Sequence, residues 1–210
     1  MEEIEKKRKK IKLLAGVMII AMTGAVFVGC GNNSASNEGK VTITVSGSTS
    51  VGPLMEKIAE KYEEENSDVS IEINQTGSSA GIKDAMDGIS DIGLSSRDLK
   101  GEEASKVQST VLAYDGVAVI TNTSNPVKEL TIEQIRDIFT GKITNWNQIG
   151  GNDSPIVVVS RETGSGTRTA FEEGVGYSEE ELVKTATISK GNGDVKTTVS
   201  TNENAIGFVS

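Results

Sequence analysis

The chain has 210 residues, of which 36% are hydrophobic and 4% aromatic, and its formal net charge is −9. This composition is typical of a globular protein with apolar residues for one sizeable core or two small lobes. The acidic balance argues against nucleic acid as a partner, because phosphate backbones bind basic surfaces. It does not exclude a small anion, since N–H donors lining a cleft can outweigh a distant, screened net charge.

Residues 1–29 have the composition of a secretory signal peptide. Six basic residues between positions 6 and 12 precede an apolar run at 13–28, which is short for a transmembrane helix of about 20 residues. A permanent transmembrane span is the alternative. Residues 27–30 resemble a bacterial lipobox, with Phe27 where leucine is usual, so Cys30 is predicted to be lipidated. The polar residues 30–39 are predicted to form a flexible tether.

The segment 40–118 predicts strands that alternate with helices. Two stretches, at 40–45 and 69–73, alternate apolar and polar side chains as half-buried strands do. The helix after the first strand is predicted to bury one apolar face along its length. That face consists of Leu54, Ile58 and Tyr62. The remaining predicted elements are a short helix through Ile82, Ala85 and Met86, a strand from Asp91, and short apolar runs at 111–113 and 117–121.

The segment 119–210 is predicted to form a second lobe of the same kind. Thr131 and Gln134 have the spacing of a capping box, which predicts the start of an amphipathic helix. Ser178 and Glu181 mark a second helix start. Strands are predicted at 156–159, 185–189 and 205–209. Strands alternating with helices indicate βαβ units, so the chain is predicted to be an α/β protein with a largely parallel sheet.

Three glycine- and hydroxyl-rich loops, at 47–52, 76–81 and 163–167, each follow a predicted strand and precede a predicted helix. Helix N-termini offer unpaired N–H groups, and Arg161 adds a planar fork of donors that fits an oxyanion. Thr167 is predicted to cap the helix after the third loop. Because ligands of α/β sheets bind at the carboxyl ends of strands, the loops are predicted to converge on one anion. Three unrelated helix caps are the alternative.

Other chemistries fit these residues less well. The third loop has no Gly-Lys-Ser/Thr, and Thr169 stands where a dinucleotide fingerprint needs its third glycine. Residues 77–81 match the nucleophile-elbow pattern, but without histidine in the chain Ser79 has no imidazole base. A Ser79–Lys83 pair is the remaining catalytic alternative. No metal and no cofactor is predicted, because histidine, paired cysteines and calcium-loop spacing are all missing from the sequence.

Several motifs together resemble one family. They are Gly47-Ser48-Thr49-Ser50, the Thr-Gly-Ser-Ser-Ala-Gly-Ile-Lys stretch at 76–83, the Arg-Glu-Thr-Gly-Ser-Gly-Thr-Arg stretch at 161–168, and residues 137–146. Over residues 40–210 the chain resembles PstS, the phosphate-binding lipoproteins of bacterial phosphate ABC transporters. The resemblance implies a periplasmic-binding-protein-like, two-lobed fold with mixed, largely parallel sheets flanked by helices. Lobe 1 would span 40–118 and lobe 2 would span 119–210.

The resemblance also implies a site and partners. The implied phosphate ligands are Thr49, Ser50, Ser78, Ser96, Arg161, Ser165, Gly166 and Thr167. The implied protein is a monomeric, non-enzymatic receptor, held by its lipid at the extracellular face of the cell membrane, which delivers phosphate to ABC permease subunits for import. Two alternatives stay open: a receptor for another oxyanion or phosphorylated metabolite, and a phosphate-sensing surface protein.

The sequence departs from the family pattern in two places. Better-known members carry an aspartate that accepts the proton of phosphate where this chain has Ser96. Asp98 or Asp115 would then have to supply the carboxylate. Family members also continue past a segment like 205–210 and return to the first lobe, so the resemblance implies a truncated chain with an incomplete lobe 1.

Overall fold

The computed structural model describes residues 39–210, which form one compact unit. The predicted signal peptide, Cys30 and nearly all of the predicted tether lie outside the described residues. The strands are β1 (Val41–Gly47), β2 (Val69–Asn74), β3 (Ile92–Leu94), β4 (Ala118–Thr121), β5 (Val157–Arg161), β6 (Thr187–Ser189) and β7 (Ala205–Val209). The α-helices are α1 (Gly52–Glu65), α2 (Ser78–Met86), α3 (Glu103–Lys106), α4 (Ile132–Phe139), α5 (Gly166–Val175) and α6 (Gly191–Thr201). Two short 3-10 helices span Trp146–Ile149 and Glu179–Glu181.

The first sheet contains β1, β2 and β3 in the order β2-β1-β3, and all three strands run parallel. The central strand pairs Val45 with Ile73 on one side and with Ile92 on the other. Helix α1 packs on β2, and α2 packs on β1 and β3. Because the strands are parallel, the loops after β1, β2 and β3 all emerge at one edge of the sheet.

The second sheet has the order β4-β7-β5-β6, with β5 parallel to both of its neighbours and β4 antiparallel to β7. Its core is aromatic. The ring of Phe171 lies 4.8 Å from that of Phe139 and 4.0 Å from that of Phe208. Trp146 is also buried, and its indole N–H donates to the Asn204 carbonyl at 3.0 Å.

The predicted α/β fold with mixed, largely parallel sheets flanked by helices is confirmed. The strands up to Leu94 form the first sheet, and those from Ala118 onwards form the second. The assignment of 40–118 and 119–210 to separate lobes stays a prediction. The capping box at Thr131 is also present, with both of its hydrogen bonds.

The predicted buried face of α1 is wrong. Leu54, Ile58 and Tyr62 are 42%, 40% and 45% exposed, whereas the helix buries Met55 and Ala59. The helix turns the side with Met55 and Ala59 towards the sheet, where it packs on β2.

Two further element predictions also need correction, and one helix was missed. The run at 111–113 is not a strand but exposed coil. The helix predicted from Ser178 is a three-residue 3-10 helix, because Leu182 leaves the helical region at φ −55° and ψ 131°. Helix α6 was not predicted, since its glycine- and threonine-rich first turns lack apolar periodicity. None of the helices within residues 39–210 is long and apolar enough to cross a lipid bilayer.

Candidate anion-binding site

The three loops predicted to converge do meet in the structure. The hydroxyls of Ser50 and Thr167 lie 2.7 Å apart, so the loop after β1 touches the first turn of α5. The backbone N–H of Ser79 donates to the Gly164 carbonyl at 3.1 Å. Carboxyl ends of strands from both sheets therefore face each other, and their loops form one polar cluster.

The loop after β1 frees two hydroxyl groups for this cluster. The Ser48 hydroxyl accepts the backbone N–H of Ser50 at 3.2 Å and of Val51 at 3.4 Å. Ser48 thereby satisfies donors at the start of α1, and Thr49 and Ser50 are left to reach across to the second sheet. Gly47 is required at the turn: its φ is +134°, and a Cβ there would lie 2.2 Å from the Leu94 carbonyl oxygen.

Ser78 and Ser96 form a second pair of hydroxyl groups. Ser78 is buried at the start of α2, and its hydroxyl lies 3.2 Å from that of Ser96, which follows β3. The Ser96 N–H also donates to the Ser78 hydroxyl at 3.1 Å. Gly166 closes over this pair, because a Cβ at Gly166 would lie only 2.5 Å and 2.6 Å from the two hydroxyl oxygens. Close approach of the loops therefore depends on a missing side chain.

Arg161 ends β5 and is 1% exposed. Its Nε and Nη2 donate to the two carboxylate oxygens of Glu162, each at 2.8 Å, and Nη2 also donates to the Thr49 hydroxyl at 3.1 Å. Nη1 donates to the Asn192 side-chain oxygen at 2.9 Å. Burial is the largest single influence and acts to raise the pKa of Glu162, but the hydrogen bond and charge of Arg161, together with the backbone N–H groups of Glu162 and Gly191, hold the pKa below its usual range. The guanidinium is therefore charged, fixed in orientation and joined to both sheets.

Ser165, and not Thr167, caps α5. The Ser165 hydroxyl accepts the N–H of Arg168 at 3.2 Å, and the helix begins at Gly166. The prediction of Thr167 as the cap is wrong because the helix begins at Gly166, two residues earlier than a cap at Thr167 implies, and the Thr167 hydroxyl instead lies beside that of Ser50. Buried Arg168 then fixes the loop, since it donates to the Arg161 carbonyl at 3.1 Å and pairs with Glu172 at 2.6 Å.

A fourth loop, which consists of Lys190 and runs into the first turn of α6 at Gly191 and Asn192, contributes to the cluster and was not predicted. Its N–H at Gly191 donates to Glu162 at 3.3 Å, and the Asn192 amide bonds Arg161 and Ser50. The Ser210 hydroxyl also lies 3.4 Å from that of Thr167. One signal could have revealed the fourth loop. Like the other three, it places glycine and a polar side chain between a strand and a helix.

Two roles considered from the sequence are not supported by the structure: a carboxylate from Asp98 or Asp115, and a Ser79–Lys83 catalytic pair. Asp98 and Asp115 are exposed, and the Asp115 carboxylate accepts the N–H of Gly116 at 2.8 Å. Neither supplies the missing carboxylate. The Ser79–Lys83 pair is also wrong: Lys83 is ion-paired with Asp87, and the Ser79 hydroxyl accepts from Arg97 at 3.3 Å.

An open groove lies between α1 and β2, away from the loop cluster. Its volume is 620 Å³, and its lining includes Glu56, Glu60, Glu63 and Glu64. Four carboxylates would repel an anion, so the groove does not compete with the loop cluster as an anion site. Among residues 39–210, no group of three or more metal-ligating side chains comes together.

The cluster is suited to a small oxyanion, because it combines buried Arg161, paired with Glu162, with neutral donors. Arg161 donates to the Thr49 hydroxyl, and Ser78 and Thr167 place hydroxyls in the first turns of α2 and α5. A hydrogen bond to a charged group contributes about 1.5–3 kcal/mol, so a handful can hold an anion tightly after desolvation.

Comparison with known proteins agrees with this chemistry. The family model of the PBP superfamily domain matches residues 32–210. The chain belongs to this superfamily. Its matched region is 34% identical over 177 residues to the phosphate-binding protein PstS of Bacillus subtilis, covering 78% of this chain and 59% of that protein. Phosphate-binding protein PstS 2 of Streptococcus agalactiae is 46% identical over 122 residues, covering 56% of this chain and 42% of that protein.

Two solved structures are similar along most of the superfamily domain. One, assigned as a phosphate ABC transporter substrate-binding protein from Clostridium perfringens, contains bound phosphate. It is 60% identical with a TM-score of 0.79, covering 81% of this chain and 70% of that one. An ABC-type phosphate transport receptor from Vibrio cholerae is 42% identical with a TM-score of 0.63, covering 80% and 70%. The predicted resemblance to PstS is confirmed, and the chain spans about half the length of the curated relatives it matches.

Proposed function

We propose that this chain binds inorganic phosphate among the converging loops, as an extracytoplasmic receptor that delivers phosphate to an ABC permease for import. One observation carries the proposal: hydroxyl-bearing loops of the two sheets meet, and buried Arg161 of the second sheet donates to Thr49 on a loop of the first. All eight residues that the resemblance implies as ligands lie in this cluster, namely Thr49, Ser50, Ser78, Ser96, Arg161, Ser165, Gly166 and Thr167. The names of the relatives support the same ligand.

Phosphate would replace contacts that the cluster now makes with itself. Hydroxyl pairs such as Ser50 with Thr167 can each rotate a donor towards an anion placed between them. Glu162 neutralises Arg161 but leaves an edge of the guanidinium turned towards Thr49, on the facing sheet. Binding would thus tie loops of the two sheets to one ligand, which is how ligand closure works in two-lobed binding proteins.

Ser96 favours a second candidate, a receptor with a broader choice of oxyanion. A carboxylate beside the ligand would accept the proton of phosphate and repel fully ionised sulfate. Ser96 offers only a hydroxyl, and neither Asp98 nor Asp115 reaches the cluster. Titration calorimetry with phosphate in the presence of sulfate separates the two candidates. Equal competition by sulfate supports the broader receptor, and no competition supports the phosphate receptor.

The same proposal includes a lipid anchor at Cys30, a monomeric state and the absence of catalysis. Labelling with a fatty-acid analogue, compared between the chain and Cys30→Ala, tests the anchor. A protein without catalysis should give no release of phosphate from phosphomonoesters. Sedimentation at several protein concentrations tests the monomer.

A pair of buried arginines provides the sharpest test of the site. Arg161 at the end of β5 and Arg168 in α5 are both buried, and both pair with a glutamate. Of the two, Arg161 is the one that contacts a loop of the first sheet, through Thr49. Arg161→Met should abolish phosphate binding or weaken it at least about a hundredfold, because two charge-assisted bonds are lost. Arg168→Met should lower the melting temperature while the folded fraction still binds.

Calorimetry on both full-chain variants, with the melting temperature as a control for folding, gives the readout. Arg161→Met also leaves half-buried Glu162 without its partner, so its melting temperature should fall as well. Comparison with Arg168→Met removes this common effect. Phosphate affinity equal to that of the unaltered chain in Arg161→Met would contradict the proposed site.

A further inference from the structure

The first turn of α6 contains a side chain, Asn192, whose bonds all lead away from its own helix. The Asn192 oxygen accepts from Arg161 at 2.9 Å. Its amide N–H groups face the Ser50 hydroxyl at 3.2 Å, the Ser210 hydroxyl at 3.1 Å and the Ser210 carbonyl at 3.3 Å. One amide therefore joins the buried cation on the second sheet to a hydroxyl on a loop of the first.

Ordinary helix-start chemistry does not account for these bonds. An asparagine at a helix start typically accepts a backbone N–H of the first turn. The residue before α6 is Lys190, no side chain caps this helix, and the Asn192 oxygen is used by Arg161 instead. The position therefore serves the cluster and not the helix.

An amide fits both neighbours at this position. Its oxygen accepts from the guanidinium, and its N–H groups donate to Ser50. A carboxylate would accept from Arg161 equally well, but it could not donate to Ser50 and would repel an anion bound beside it. An apolar side chain would satisfy neither.

We propose that Asn192 is a positioning residue of the anion site, which holds the Arg161 guanidinium in place and couples it to the Ser50 loop across the cluster. This inference rests on the proposed function for its effect on phosphate. The coupling itself requires no ligand, because all the bonds that define it are made within the protein.

Three variants of the full chain test it. Asn192→Ala removes the bonds to Arg161 and Ser50. Asn192→Asp keeps the oxygen that accepts from Arg161 and adds a negative charge. Asn122→Ala is the matched control at the opposite end of α6, where Asn122 donates to the carbonyls of Val199 and Ser200 at 3.0 Å and 2.9 Å. Phosphate affinity is measured by calorimetry, and hydrogen exchange measures protection of the backbone amides at 48–52 without ligand.

Asn192→Ala should weaken phosphate binding about tenfold or more, and protection at 48–52 should fall. Asn192→Asp should bind more weakly still at neutral pH, and its deficit relative to the unaltered chain should narrow towards pH about 4, as the new carboxyl takes up protons. Asn122→Ala should lower the melting temperature, with phosphate affinity and protection at 48–52 unchanged.

Two results would overturn the inference. One is wild-type protection at 48–52 in Asn192→Ala; the other is equal loss of protection in Asn122→Ala, which would make the effect one of general stability. If the unaltered chain binds no phosphate, the proposed function fails, and the exchange measurement still decides the role of Asn192.

Discussion

The two sheets bury very different cores. Phe139, Phe171, Phe208 and Trp146 are all buried around the second sheet, where their rings pack on one another. The buried hydrophobic cluster of the first sheet consists of Val45, Met55 and Leu94. An apolar stripe on its helix α1 is at the same time exposed.

This difference assigns separate tasks to the two sheets. The second sheet supplies the buried cation and the helix α5, both fixed by a dense core and by Arg168. The first sheet supplies hydroxyl groups on loops with a smaller core beneath them. Because regions with few buried apolar contacts open most easily, we expect the first sheet to be the more mobile partner when an anion enters or leaves.

Two isoleucines, one on a helix beside each sheet, provide the strongest test. Ile138 in α4 is 0% exposed, whereas Ile58 in α1 is 40% exposed. Ile138→Ala should lower the free energy of unfolding by about 2–5 kcal/mol, because it leaves a cavity in the aromatic core. Ile58→Ala should cost less than about 1 kcal/mol. Urea unfolding followed by near-ultraviolet circular dichroism gives both values, and equal losses would refute the difference between the cores.

The contact between the sheets can be broken with a single methyl group. Gly166→Ala would place a Cβ against the hydroxyls of Ser78 and Ser96 and 2.9 Å from the Ser96 carbonyl carbon, so the facing loops must move apart. Phosphate affinity should fall by about tenfold or more, which corresponds to about 1.4 kcal/mol.

Gly174 in the same helix is the control, because a Cβ there meets nothing within 4 Å. Gly174→Ala should leave phosphate affinity unchanged and raise stability by up to about 1 kcal/mol, through helix propensity. Calorimetry and thermal unfolding on both variants give the comparison. Normal affinity in Gly166→Ala would show that the loops need not approach this closely.

Patterns that reflect local physics could be predicted from the sequence. Alternation of apolar residues located β1 and β2, and the capping box located α4, because both depend on neighbours a few residues apart. The three loops were found because glycine and hydroxyl residues recur between strand and helix. Convergence of the loops after β1 and β2 follows from the parallel first sheet, whereas the loop after β5 meets them because the two sheets face each other.

What depends on distant partners could not be predicted. The exposure of Leu54 and Tyr62 follows from which side of α1 packs on the sheet, and the spacing of the residues does not reveal that side. Asn192 joins the cluster only because β6 places α6 beside β5. The glycine-rich first turn around it lacks the apolar spacing that predicts a helix. Ser165, and not Thr167, caps α5 because the helix begins at Gly166. The Thr167 hydroxyl is therefore left to face Ser50.

Two arginine–glutamate pairs, Arg97–Glu103 beside the first sheet and Arg168–Glu172 beside the second, shift the pKa of their carboxyl groups in opposite directions. Arg97 donates to both oxygens of Glu103 at 2.8 Å and 2.9 Å, and with the Lys100 N–H it lowers the pKa of Glu103 to about 2. Burial raises the pKa of Glu172 more than Arg168 lowers it, and nearby Glu179 adds to the rise.

The two shifts predict opposite pH dependence. The Glu103 pair stabilises the fold above pH 4.5, the unfolded value, and its contribution is lost as the pH falls towards about 2. Glu172 acts in reverse. The contribution of its raised pKa is complete below pH 4.5 and is lost as the pH rises through the folded pKa.

Glu103→Gln should therefore lower the free energy of unfolding by about 1 kcal/mol at neutral pH, and the loss should vanish towards pH about 2. Glu172→Gln should instead be neutral or slightly stabilising at neutral pH, since a neutral amide avoids the cost of burying charge and still accepts from Arg168. Urea midpoints of both variants between pH about 2 and about 7 measure the two trends. Parallel curves would contradict the opposite shifts, and they would mean that ionised Glu172 is stabilised by Arg168 as fully as Glu103 is by Arg97.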